Sequence, residues 1–126
     1  MELNELSERV IGAAIEVHRF LGPGLLEQSY EKALEHEFTL RGLKYSSQIS
    51  LPIAYKELQI PDAYRLDILI ENQLIVEIKA VENILPVHKA QLLTYLRHTQ
   101  KPLGLLINFN SSLLKNGLTR VINTQK

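Results

Sequence analysis

The tightest constraint on how this chain folds is an apolar hairpin that carries its charges on one side. Residues 65–81 contain two apolar-rich runs, Leu66-Asp67-Ile68-Leu69-Ile70 and Leu74-Ile75-Val76-Glu77-Ile78-Lys79, joined by the polar turn Glu71-Asn72-Gln73. Side chains alternate faces along a strand, so a slip of one residue turns every side chain over. With Asn72 at the centre of a three-residue turn, Ile70 meets Leu74, Ile68 meets Val76 and Leu66 meets Ile78 on one all-apolar face. The same register sets Asp67 opposite Glu77 on the other face, with Lys79 two residues further along. Directly opposed residues stand roughly 4.5–5.5 Å apart at Cβ. Two carboxylates at that spacing can share one divalent cation, with an ammonium beside them.

Two readings of the charged face remain open at this point. It can be solvated, with its charges in surface ion pairs. Against this, Leu69, Ile75 and Val81 lie on the same face, so the strands read as covered on both sides, as in sheets flanked by helices. Adjacent carboxylates under such cover repel one another and lose hydration unless a cation or a shared proton compensates.

Elsewhere the periodicity is clear. Apolar residues at Leu6, Val10, Ala13, Ala14, Val17 and Leu21 predict an amphipathic helix over residues 4–21, stopped by Gly22-Pro23-Gly24. A second helix is expected over residues 25–41, capped by Gly42. Residues 45–55 alternate as a strand bent near Pro52, and Pro61 and Asp62 are expected to precede the hairpin. Pro86 suits the first position of a third helix reaching Thr99. Residues 103–109 form an apolar run of strand length, and residues 118–122 a short last strand. The order predicts one α/β domain over residues 1–126, with a central mixed sheet flanked by helices.

Composition narrows the chemistry. Lys plus Arg and Asp plus Glu both total 14, so the net charge is zero and no global basic field advertises nucleic acid. Such a partner would need a local patch, or a metal to offset the acidic site. The chain has no cysteine, which excludes disulfides, thiolate chemistry and Cys-based zinc sites. It shows neither an apolar run of about 18 residues nor a charged-then-apolar leader, and so reads as a soluble, cytoplasmic protein without a membrane partner. There is no glycine-rich phosphate loop, nucleophile elbow or His-Glu-x-x-His motif.

Two helices carry further candidates. On the second, at about 100° per residue, Glu27 falls between Leu34 and Phe38, within the apolar arc that also holds Leu26, Tyr30 and Ala33. Glu37 and Arg41 can pair with each other, whereas Glu27 has no such local partner. It is either an acid favoured by the helix dipole or one that serves the site. On the third helix, His88, Gln91 and Tyr95 cluster within roughly 60° of one another, away from Leu92, Leu93 and Leu96. That stripe either faces solvent or lies over the carboxylates, where Gln91 and Tyr95 can hold a phosphate or position water. His18, His36 and His98 read as ordinary helix residues.

Together these residues resemble a known pattern. Asp67 followed by Glu77-x-Lys79 is similar to the motif of the PD-(D/E)XK nuclease superfamily. Gly24-Leu25-Leu26-Glu27-Gln28-Ser29-Tyr30 resembles the pattern that names one small branch of it, the GxxExxY proteins, and Gln91-x-x-x-Tyr95 resembles their QxxxY element. The likeness extends from the segment at residues 11–18 to that at residues 104–109. Arg65-Leu66 precedes Asp67 in place of the proline of the motif's name, a position that varies across the superfamily.

The resemblance implies a restriction-endonuclease-like core and a metal-dependent nuclease acting on nucleic acid, DNA in preference to RNA. Asp67 and Glu77 would be ligands of Mg²⁺ or Mn²⁺, hard cations that prefer oxygen donors, together with the backbone carbonyl of Ile78. Glu27 would complete or orient the metal shell. Lys79 would orient or help deprotonate the attacking water, with Tyr30, His88, Gln91 and Tyr95 supporting the site or contacting substrate. The implied reaction is in-line attack of water on a phosphodiester, helped by a Lewis acid that lowers the water's pKa. The rival expectation is a non-catalytic module, binding nucleic acid or a protein, that keeps the nuclease scaffold. A domain of 126 residues also leaves room for a homodimer or a protein partner that helps it hold a duplex.

Overall fold

The computed structural model describes residues 1–124. Its elements in chain order are α1 (Leu3–Leu21), α2 (Glu27–Leu40), β1 (Tyr45–Tyr55), β2 (Leu58–Ile70), β3 (Leu74–Lys79), α3 (Pro86–Thr99), β4 (Leu103–Asn108), a 3₁₀ turn (Leu114–Gly117) and β5 (Leu118–Ile122). The five strands form one sheet in sequential order β1-β2-β3-β4-β5. Only β3 and β4 run parallel, with α3 as their crossover. This is the α/β architecture with a mixed central sheet expected of a restriction-endonuclease-like core.

Helices α1 and α2 cover one face of the sheet. Leu6, Val10, Ala13, Ala14 and Val17 of α1 and Tyr30, Leu34 and Phe38 of α2 pack on Ile68, Ile70, Leu74, Val76, Ile78, Leu105 and Ile107. Helix α3 covers the other face, where Leu92 and Leu96 meet Ile75, Leu106 and Leu66. The approach of α3 depends on Gly104, because a Cβ there would stand 2.8 Å from Leu92.

Near the turn the hairpin register is the expected one, with Ile68 facing Val76, Leu69 facing Ile75 and Ile70 facing Leu74. The ladder ends there, so the expected Asp67–Glu77 and Leu66–Ile78 pairs are not part of it. Two features of β2 differ from expectation. Pro61 and Asp62 lie inside the strand, not before it. The β1–β2 register shifts between Leu51 and Ile53, so residues 61–63 bulge opposite Pro52 and the missing proline N–H interrupts no ladder bond. The expected bend near Pro52 coincides with this shift.

Leu66 also leaves the face it was expected to share with Ile68 and joins the α3-side cluster. Strand β1 inverts at the same level: Ser47 turns to Glu35 of α2 (3.4 Å), whereas Ile49 packs on the α3 side. Between them Gln48 adopts a left-handed backbone (φ 51°). Both strands therefore turn over at the level of Gln48 and Asp67, and strict period-two alternation cannot anticipate that.

Candidate functional site

Asp67 sits at this inversion, and its carboxylate is spent within the sheet. Asp67 Oδ2 accepts the N–H of Ile78 (2.8 Å), and Glu77 Oε2 accepts the N–H of Asp67 (2.9 Å). Each acid thus takes a main-chain amide from the strand that carries the other. One oxygen of each carboxylate is committed. Among the described residues no fully enclosed side-chain oxygen lacks a partner, so the second oxygens, which accept no protein hydrogen bond, keep some access to solvent.

The electrostatics are unfavourable to two anions. Burial, with Glu77 only 7% exposed, and then the Asp67 carboxylate push Glu77 up to about 8. Burial likewise raises Asp67, and Glu31 and Glu27 add to it, against the lowering effects of the Ile78 amide and Lys79. Lys79 is half-buried at the end of β3, and its ammonium makes no hydrogen bond or ion pair among the described residues. Its backbone is fixed: Phe109 N–H donates to the Lys79 carbonyl (2.9 Å).

The glycine turn and α2 bring Glu27 to the same place. Gly24 holds φ 103°, a conformation that L side chains rarely adopt. The buried Tyr30 ties the turn together, its hydroxyl donating to the Gly22 carbonyl (2.5 Å) and accepting the Leu25 N–H (3.1 Å). Its ring stacks on Phe109 at 4.6 Å. Tyr30 is wholly enclosed and is not offered to a substrate. Glu27, in the first turn, stays at the surface, and its Oε2 accepts the Ala80 N–H (3.3 Å), one residue beyond Lys79.

The stripe on α3 divides. Tyr95 lies by the carboxylates: burial first, then Glu77 and Asp67, raise its phenol above the usual value. His88 Nδ1 accepts the Leu85 N–H (2.9 Å) and caps the helix start. Gln91 is exposed at the edge of a groove beside Tyr95. Of the other histidines, His18 is buried and its Nε2 lies 2.7 Å from the Ser111 carbonyl. The anticipated Glu37–Arg41 pair forms at 2.7 Å.

The structure adds residues that sequence reasoning missed. Glu31 follows Glu27 by one helical turn, a spacing that could have flagged it. Its carboxylate receives both hydrogen bonds of the Gln48 amide (2.8 and 3.0 Å), and burial raises its pKa. Asn108, the polar end of an apolar strand and the partner of Lys79 in register, clamps the segment that follows. It accepts the Val81 N–H (3.1 Å) and donates to the Val81 carbonyl (2.8 Å).

Among the described residues no group of three or more His, Asp and Glu forms a metal cage. The donor set nevertheless fits a small hard cation. Mg²⁺ is typically held by one or two carboxylates while keeping several waters, and here two open carboxylate oxygens lie where excess negative charge is already costly. A family model described as the PD-(D/E)XK nuclease superfamily matches residues 4–121. No curated protein and no solved structure matches the chain.

Proposed function

The chain belongs to the PD-(D/E)XK nuclease superfamily, and from that premise we propose that it is a metal-dependent nuclease that hydrolyses phosphodiester bonds in nucleic acid, in DNA ahead of RNA. The observation that carries this reading is the Asp67–Glu77 pair, whose open oxygens and raised proton affinity call for a cation. The spacing Gly24-x-x-Glu27-x-x-Tyr30, with the Tyr30 hydroxyl closing the glycine turn on Gly22 and Leu25, supports placing the chain in the GxxExxY branch. The single domain of residues 1–126 would carry the whole site.

Nucleases of this superfamily generally use divalent metals. Asp67 and Glu77 would hold Mg²⁺ or Mn²⁺, with the Ile78 carbonyl and Glu27 completing or orienting the shell. When bound, the ion would supply Lewis acidity toward the phosphate and the attacking water. Lys79, unpaired and held at its carbonyl by Phe109, orients that water and offsets charge growing on the phosphate. Tyr30 fixes the turn that sets Glu27, and His88 fixes the start of α3, while Tyr95 and Gln91 face the substrate. No covalent enzyme intermediate is required.

The test is Mg²⁺-dependent cleavage of DNA by purified Asp67→Ala, Glu77→Ala and Lys79→Ala variants that keep the native circular dichroism. Each is expected to lose at least about 100-fold in rate, in line with the loss of one electrostatic stabiliser. Full activity in these variants would remove the mechanism. Calorimetric titration with Mn²⁺ separates the non-catalytic alternative: heat that vanishes in Asp67→Asn supports the nuclease, and no heat in the parent protein supports a binding scaffold.

A further inference from the structure

The zero net charge conceals two halves of opposite sign. All 14 acidic side chains stand at or before Glu82, whereas six of the 14 lysines and arginines follow it. Helices α1 and α2 carry acids along their length, and α3, β4 and β5 carry none. The carboxylate site lies between the halves. On α3, the side chains of Lys89 and Arg97 make no hydrogen bond or ion pair among the described residues. A polyanion is therefore drawn to the α3 side and repelled from the α1–α2 side.

On that side α3 and the outer arm of the β1–β2 hairpin enclose two adjoining grooves that share Tyr64. One, of about 340 Å³, is lined by Ile53, Val87, Gln91, Tyr64 and Tyr95. The other, of about 430 Å³, carries His98 and Lys101. Between the grooves Tyr64 and Tyr95 stack in near-parallel planes (4.8 Å, 10°), and His98 leans on Tyr64 at 5.6 Å. The first groove takes one wall from α3, which also packs, through Leu92 and Leu96, on Ile75 of the Glu77-bearing strand and on Leu106 of the strand beside it. Its walls are aliphatic and aromatic, with the Gln91 amide at the rim.

We propose that these grooves bind an unpaired DNA strand, with one base in the Tyr64–Tyr95–Gln91 groove and the adjoining phosphates against Arg97 and Lys101. The proposal rests on the nuclease reading of the carboxylate site and adds the substrate class. A base has an apolar planar face for the groove and a hydrogen-bonding edge for an amide that can both donate and accept. In a duplex both faces of each base are stacked and only its edges show, so a groove walled by side chains excludes it. Arg97 follows Thr94 of the first groove's wall by three residues, one turn along α3, and Lys101, just past the end of the helix, lines the second groove.

The experiment compares a 12-nucleotide single strand containing 2-aminopurine with the blunt duplex of the same sequence, using the whole chain in EDTA so that nothing is cleaved. The single strand is expected to bind about tenfold more tightly than the duplex, with a change in 2-aminopurine fluorescence, the scale of one stacked base. Ala90→Trp, which fills the groove from an exposed position, and Gln91→Ala, which removes only the amide, should each lower single-strand affinity. Arg97→Glu should lower it and flatten its salt dependence. Equal or tighter duplex binding, or unchanged affinity in both groove variants, overturns the proposal. Cleavage assays in Mg²⁺ separate the two readings. A protein that cuts only duplex is a nuclease without this groove function. One that binds single strands through the groove but cuts nothing keeps the groove and loses the hydrolytic reading.

Discussion

Glu77→Gln should make the metal-free protein more stable, by an amount that grows with pH. In the folded chain burial and the neighbouring Asp67 carboxylate raise Glu77 from 4.5 to about 8. Below the unfolded value both states hold the proton and Glu77 contributes no penalty. As pH climbs through that window the unfolded chain releases its proton while the folded chain keeps it, so stability falls. One pKa unit corresponds to about 1.4 kcal/mol, so the loss at pH 7 is on the order of 3 kcal/mol and levels off once the folded carboxyl also ionises. For a domain whose whole stability is about 5–15 kcal/mol this is a large fraction. Glutamine is nearly isosteric, and its carbonyl oxygen can keep the hydrogen bond from Asp67 N–H, so the substitution removes ionisation more than packing. The assay is urea unfolding in EDTA at intervals from pH 5 to 9, for parent and variant. The gap should be under about 1 kcal/mol at pH 5, vanish below the unfolded value of 4.5, and widen above it, to roughly 10 °C if followed as Tm at pH 7. Mg²⁺ should then raise the Tm of the parent and leave the variant unmoved. Parallel curves across the whole range would refute the idea that Glu77 is buried at an electrostatic cost.

Three further outcomes follow from the same geometry. Because the parent pair holds a proton at neutral pH, Mn²⁺ binding at pH 7 should release about one proton, read from the dependence of the calorimetric heat on buffer ionisation enthalpy. A heat independent of buffer would contradict the raised proton affinity. Tyr30→Phe removes the hydroxyl that bridges Gly22 and Leu25; it should cost about 1–3 kcal/mol in denaturant unfolding and lower the cleavage rate through Glu27, and an unchanged stability would show the bridge to be idle. Asn108→Ala leaves the Val81 N–H and carbonyl without their partner. It should cost about 1–3 kcal/mol and slow cleavage beyond that loss, because the segment after Lys79 is freed; a rate equal to the parent's in the folded variant would remove Asn108 from the site's support.

The register of β2 against β3 was legible because the hairpin has few ways to hide its aliphatics. Asn72 at the turn centre leaves one pairing in which Ile68, Ile70, Leu74 and Val76 all reach the core, and that pairing forms. The helices were legible for the same reason: Leu6, Val10, Ala13, Ala14 and Val17 of α1 and Tyr30, Leu34 and Phe38 of α2 are buried as their spacing requires, whereas Leu21 and Leu26, at the glycine turn, stay exposed. What period-two reasoning could not reach was the inversion of β1 and β2. Gln48 at φ 51° stands where β1 turns over, and β2 turns over at the same level, which puts Leu66 on the α3 side. Nothing in the alternation of residues 45–55 marks Gln48 for that conformation.

That inversion is what makes the acidic pair chemically useful. In an unbroken ladder Asp67 would stand upright on one face of the sheet, as the sequence pattern suggests, with its carboxylate free to turn toward solvent. At the turnover its carboxylate instead lies in reach of the Ile78 amide, while Glu77 takes the Asp67 amide. Main-chain donors lock one oxygen of each acid and so fix where the other points. A pair of surface carboxylates could relax apart to escape their mutual repulsion, but these cannot without giving up two charge-assisted hydrogen bonds. Their repulsion is therefore stored as raised proton affinity and not dissipated by motion, which leaves a place where a divalent ion, or in its absence a proton, is the cheapest remedy.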